Sequence, residues 1–203
     1  MGTLLNRRRY LGGGSSLPYD VQVEYLESRG GVIETGFKPN QDTGLRISIS
    51  VISESTTSRF FEARTSSWDA EFGLLNFLSS GSGLQVRYGN HVGGVKVAPP
   101  MTVGVVYDIF MDRNKVYNGD VLLYEFEQYT FQARTYISLF SLNSASDANN
   151  KCRIHSCKIY DNGQLAMDLI PVRVGTVGYM YDNISGKLIG NTGTGTITAG
   201  PDI

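Results

Sequence analysis

The chain has 203 residues, 24 of them Gly, with 41% hydrophobic and 18% charged side chains. That apolar fraction excludes a disordered chain, the low charge and many Gly exclude a coiled coil, and a formal net charge of −1 removes the basic footprint of a general nucleic-acid binder. A single domain of this size buries about 70% of its unfolded surface and needs neither disulfide nor metal to fold.

Residues 1–18 differ from the rest. Arg7, Arg8 and Arg9 are followed by Tyr10 and Leu11, then by Gly12-Gly13-Gly14-Ser15-Ser16. This reads as a short cationic, partly apolar segment on a flexible tether, an N-terminal docking arm closed by Leu17-Pro18. Leu4 and Leu5 precede the arginines and glycines follow them, so the expectation is no signal peptide and a product made in a cytoplasm. No window approaches about 18 consecutive apolar residues, so no transmembrane helix is expected.

From Tyr19 to Ile203 the pattern is strands and turns. Leu45, Ile47, Ile49 and Val51 alternate with Arg46, Ser48 and Ser50, a period of two. Further strands are expected over Arg59–Ala63, Glu71–Phe77, Leu84–Tyr88, Thr102–Phe110, Val121–Phe126, Tyr136–Leu142, Arg153–Tyr160, Leu165–Val174 and Val177–Tyr181. Asn118-Gly119, Asp161-Asn162-Gly163 and Ser185-Gly186 supply turns, since Asn and Gly tolerate positive φ. The run from Asn191 to Thr198 is polar and β-prone and is expected to finish a sheet edge. About a dozen short strands with regular turns define an all-β sandwich or jelly roll.

Chemistry is sparse. Zinc needs about four clustered ligands. The chain offers His91, His155, Cys152 and Cys157, and a regular strand would put the two cysteines on opposite faces, with His155 on the face of Cys157. Metal is therefore expected to be absent, and calcium at Asp108, Asp112 or Asp147 has no supporting motif. For glycoside cleavage the carboxylate pairs are Glu125 with Glu127, and Asp69 with Glu71 beside Trp68; neither has a third acid or a base nearby. No P-loop or nucleophile elbow is present. Binding remains: Trp68, Tyr88, Asn90 and His91 fall in or near loops, where a rim of aromatic and polar groups would hold a glycan.

The order of several motifs carries a resemblance. Tyr25-Leu26-Glu27-Ser28, then Ile33-Glu34-Thr35-Gly36-Phe37-Lys38-Pro39-Asn40, resemble the start of the concanavalin A-like, laminin-G-type jelly-roll family. Arg153–Gly163, Asp168–Arg173, Gly178–Asp182, Ser185-Gly186 and Gly190-Asn191 are similar to its later runs. The resemblance covers most of residues 19–203 and implies a concanavalin A-like sandwich of two antiparallel sheets behind the extended arm. It implies, by the family's occurrence in tailed phages of gut Bacteroidales (crAss-like phages among them), a virion structural protein. That protein would be a capsid-decorating or head-fibre-associated subunit, docked on other virion proteins through Arg7, Arg8, Arg9, Tyr10 and Leu11. A trimer would suit such a location, and cell-surface or mucin glycans are further partners; no nucleic acid or membrane partner is expected. Enzymes of the superfamily carry an E-x-D-x-x-E acid strand, which this chain lacks, so no catalysis is expected. The alternatives are a free lectin-like module and, behind it, a glycoside hydrolase.

Overall fold

The computed structural model describes residues 17–53, 57–64, 70–77, 83–89, 94–140 and 151–203. Among them there are strands and turns and no helix. In chain order the strands are β1 (Val21–Gln22), β2 (Leu26–Arg29), β3 (Ile33–Glu34), β4 (Thr43–Val51), β5 (Thr57–Ala63), β6 (Glu71–Phe77), β7 (Gly83–Gly89), β8 (Val95–Ala98) and β9 (Val106–Asp112). They continue with β10 (Lys115–Asn118), β11 (Val121–Glu125), β12 (Ser138–Leu139), β13 (Cys152–Asp161), β14 (Gln164–Val174), β15 (Val177–Asp182), β16 (Lys187–Ile189) and β17 (Thr196–Ala199).

They form two antiparallel sheets, the jelly-roll sandwich expected from the alternation. The larger runs β11-β10-β9-β4-β13-β14-β15-β16, with β1 on β14 and with β2 between β13 and β17. The smaller runs β3-β12-β5-β6-β7-β8. The period of two in β4 is the reason for the layering: Leu45, Ile47, Ile49 and Val51 point inward and are buried, while Arg46 is exposed on the other face. Facing them across the core are Phe61, Phe72, Leu74, Val86 and Tyr88 of the smaller sheet.

The turns follow backbone chemistry. Asp161 pairs with Gln164, and Asn162 (φ 47°) and Gly163 (φ 78°) form the two-residue connection between β13 and β14. The next expected hairpin lies one residue later than the Asn-Gly pair suggests. Asn118 stays in the ladder between Ile109 and Val121, so Gly119 (φ 56°) and Asp120 make the turn. The terminal polar run pairs through β17 with β2 and extends the larger sheet there.

Three expectations are corrected. The strand expected over Tyr136–Leu142 reduces to β12, because Phe140 turns into the left-handed region (φ 67°); residues 141 and 142 lie outside the described residues. The strand expected from Thr102 starts at Val106, after a turn in which Gly104 has φ 79°. Cys152 and Cys157 do not face opposite ways. The β13–β4 register shifts between Ile154 and Ser156, and this bulge restores the inward phase, so Cys152, Ile154, Cys157 and Ile159 are all buried in the core. His155 is consequently not beside Cys157; its ring nitrogens meet Ser50 Oγ and the Glu24 carbonyl, each at 3.1 Å. Neither cysteine is in a disulfide, and burial pushes the Cys157 thiol far up, which makes it inert.

Candidate functional site

Most of the sequence-chosen positions, namely Arg7, Arg8, Arg9, Tyr10, Leu11, Trp68, Asn90 and His91, lie outside the described residues. Tyr88 is described, and its place corrects the expectation that it belongs to a glycan rim. It is 1% exposed, on the inward face of β7, with ring centroids 5.6 Å from Phe126 and 5.2 Å from Phe131. Its hydroxyl approaches the Gln41 carbonyl at 3.4 Å. A ring enclosed in this way has no face to offer a sugar.

The acids separate into two environments. Glu125 and Glu127 are exposed on either side of buried Phe126, and Glu125 sits 3.6 Å from Lys115 Nζ. Glu71 belongs elsewhere. On the outward face of the smaller sheet the register sets Glu62 opposite Gly73, and Gly73 opposite Arg87. A Cβ on Gly73 would stand 3.0 Å from Glu62 Cγ and 3.2 Å from the Phe61 carbonyl, so the glycine leaves the space over which the flanking side chains meet. Arg87 Nη1 lies 2.5 Å from Glu62 Oε1 and 3.6 Å from Glu71 Oε1. Arg64 Nε lies 3.7 and 3.6 Å from the same two oxygens. Both carboxylates are 0% exposed, and Glu62 Oε2 and the two Glu71 oxygens make no hydrogen bond to a described residue.

Burial dominates the chemistry of this quartet. Loss of hydration pushes the Glu62 carboxyl up to about 7, against the pull of Arg87 and Arg64, and it also raises Glu71. The unfolded chain releases the Glu62 proton near 4.5 and the folded chain holds it to about 7. Between those values the unfolded state binds fewer protons, so stability falls as pH rises through the window and levels off above it. We expect a contribution on the order of 3 kcal/mol to be lost between pH 4.5 and 7. Urea unfolding across that range checks this; an equal decline in Glu62→Gln assigns it to other groups.

The outward face of the larger sheet is open and differently built. Cross-strand register places Arg46 between Phe110 of β9 and Lys158 of β13, and Ser48 between Asp108 and Ser156. Arg46 Nε donates to both Asp108 oxygens at 3.0 Å, and Arg46 Nη2 pairs with Asp108 Oδ2 as well. Arg46, Ser48, Asp108, Ser156, Lys158 and Tyr160 line a groove of about 420 Å³. Tyr117, Phe110 and Tyr160 form a row beside it, with successive centroids 6.3 and 5.8 Å apart. Gly44 lies opposite Tyr160, where a Cβ would touch both the Tyr160 and Phe110 side chains. Apart from Asp108, none of these positions stood out in the sequence; the signal present there was aromatic or charged residues, Arg46, Phe110, Tyr117, Lys158 and Tyr160, at outward positions of strands that become neighbours only in the fold. A second groove of about 310 Å³ lies at Phe37, Met167 and Leu188, where Asp182 accepts hydrogen bonds from the backbone N–H groups of Asp168, Ile184 and Ser185 and from the Ser185 hydroxyl. Those four donors hold the Asp182 carboxyl below the usual carboxylate range in spite of burial, and they fix the β15–β16 turn. Among the described residues no three His, Cys, Asp or Glu side chains come together as a metal site. Asp108, one of the acids considered for calcium, is occupied by Arg46; Asp112 is exposed and Asp147 lies outside the described residues.

The molecule is thus a jelly-roll β-sandwich with one sealed, charged face and one open polar–aromatic face. No protein-family model matches the chain, and no curated protein matches it. Among solved structures it is similar to a candidate carbohydrate-binding protein from Bacteroides ovatus, with a TM-score of 0.55 at 9% identity, over 89% of this chain and 61% of that one. It is also similar to the Trypanosoma rangeli sialidase solved with 2,3-difluorosialic acid, with a TM-score of 0.46 at 10% identity, over 80% of this chain and 33% of that one. The chain therefore spans less than two thirds of either protein, and at 9% identity the likeness to the Bacteroides protein is one of fold.

Proposed function

We propose that the chain is a non-catalytic carbohydrate-binding β-sandwich, and that residues 1–18 dock it on a tailed-phage particle as a capsid-decorating or head-fibre-associated subunit. The binding half is carried by one observation: a set of solvent-reachable polar and aromatic side chains sits together on the rigid outward face of the larger sheet, while the converging carboxyls Glu62 and Glu71 are buried against Arg64 and Arg87. Fold likeness to a candidate carbohydrate-binding protein supports the same half. The docking half is supported by the sequence: the family resemblance, and Arg7–Arg9 with Tyr10-Leu11 ahead of a Gly-rich tether. Guanidinium groups pair bidentately with carboxylates of a partner, and the tyrosine and leucine add apolar anchorage.

Two measurements test the halves separately. The full chain should bind members of a glycan panel and release no reducing sugar from them; release would replace the reading with a hydrolase. A chain lacking residues 1–16 should melt at the same temperature and keep its glycan binding, yet fail to co-sediment with phage particles. Truncated protein that still co-purifies with particles removes the docking role.

A further inference from the structure

We propose that the open face of the larger sheet, where Tyr117, Phe110 and Tyr160 run beside Arg46, Asp108 and Lys158, is the binding site of a neutral oligosaccharide. The inference rests on the carbohydrate-binding reading and locates it, at none of the loop residues that the sequence suggested.

Four features point the same way. The first is the aromatic row. Three half-buried rings, on neighbouring strands β10 and β9 and, across β4, on β13, follow one another at 6.3 and 5.8 Å, a spacing comparable with one hexose repeat. Each ring is partly exposed, and the C–H faces of a pyranose stack on aromatic surfaces while its hydroxyls remain wet. The second is the polar strip beside it. The Arg46–Asp108 pair is a planar guanidinium–carboxylate fork, and Ser48 and Ser156 add two hydroxyls across the same groove. Vicinal diols present donors and acceptors at matching separation, and a strip that offers both kinds of group answers them.

The third feature is charge balance, which chooses among glycans. Arg46 is matched by Asp108, and Lys158 Nζ lies 3.7 Å from Asp168 Oδ1. An anionic sugar would have to compete with carboxylates already in place, whereas a neutral one has no such cost. The fourth is rigidity. The face is built on central strands β9, β4 and β13, each paired on both sides, so the rings and the fork are held before any ligand arrives.

The test uses the full chain, a panel of neutral oligosaccharides with uronic-acid and sialylated counterparts, and the variants Tyr117→Ala, Tyr160→Ala and Tyr160→Phe, with Glu127→Ala, which is not among the residues lining the groove, as a control. We expect binding to neutral members. Each Ala variant should weaken it at least tenfold with an unchanged melting temperature, and Tyr160→Phe and Glu127→Ala should bind as the parent does. If the parent binds and both Ala variants bind equally well, this face is not the site, while the carbohydrate-binding reading stands. If the parent binds acidic members in preference, the neutral assignment is wrong. If the parent binds no member of the panel, both the site and the broader reading fail.

Discussion

Arg87→Ala is expected to destabilise the folded chain by about 3–5 kcal/mol at pH 8.5, because it removes the nearest cation from a carboxylate with no access to water. Arg87 Nη1 stands 2.5 Å from Glu62 Oε1, and the next guanidinium nitrogen, Arg64 Nε, is at 3.7 Å. Above about 7 the Glu62 carboxyl is ionised, and a buried charge that loses its close partner carries its full dehydration cost. At pH 5.5 the Glu62 carboxyl is protonated, and the loss should shrink to what the arginine stem contributes by packing and what its guanidinium contributes beside Glu71. The two urea titrations therefore give the effect a signature that a simple cavity would not have. Replacing the pair together, Arg87→Met with Glu62→Met, should recover most of the stability, since a well-packed apolar pair substitutes for a buried ionic one at little cost. A loss below about 1 kcal/mol at pH 8.5 would show that water reaches the pair and that the face is not sealed.

The same quartet marks the boundary of what the sequence alone discloses. Period-two patterning is local, so β4, β13 and β14 were legible from their own residues, and the Asn162-Gly163 turn from the two residue types that accept positive φ. Pairing across strands is not local. Glu71 has Asp69 as its neighbour in sequence, but the described partners of its carboxylate are Arg64 and Arg87, brought to it by the β5–β6–β7 register around Gly73. The cysteines show the same limit at shorter range. An odd spacing puts two residues on opposite faces of a regular strand, and one bulge at Ile154–Ser156 reverses that outcome. The open face was hidden for a related reason. Phe110, Tyr117 and Tyr160 are ordinary outward residues on their own strands, and they become a row only because β10, β9, β4 and β13 lie side by side.

Tyr88→Ala is expected to cost about 3–5 kcal/mol and to act on folding rather than on recognition. Near the end of β7 and in a Gly-rich stretch, Tyr88 resembles a rim aromatic when read along the chain. In the sheet it pairs with Phe72 and points inward with it, because β6 and β7 share their inward phase from Phe72–Tyr88 to Asn76–Leu84. Its ring fills the space beneath the 126–131 segment, against Phe126 and Phe131, and that segment is also tied to Gln41 by the Phe131 N–H donating to Gln41 Oε1 at 3.2 Å. Removing the ring leaves a void that three separate chain segments would have to close, and interiors relax only partly around such a void. Tyr88→Phe keeps the ring and gives up one long hydroxyl contact, so it should cost less than about 1 kcal/mol. Chemical denaturation of the two variants separates the roles. A core ring gives a large loss in Ala and a small one in Phe, with glycan binding of the folded fraction unchanged in both. Unaltered stability in Tyr88→Ala together with reduced binding would instead return this residue to the surface rim and would contradict the β6–β7 register.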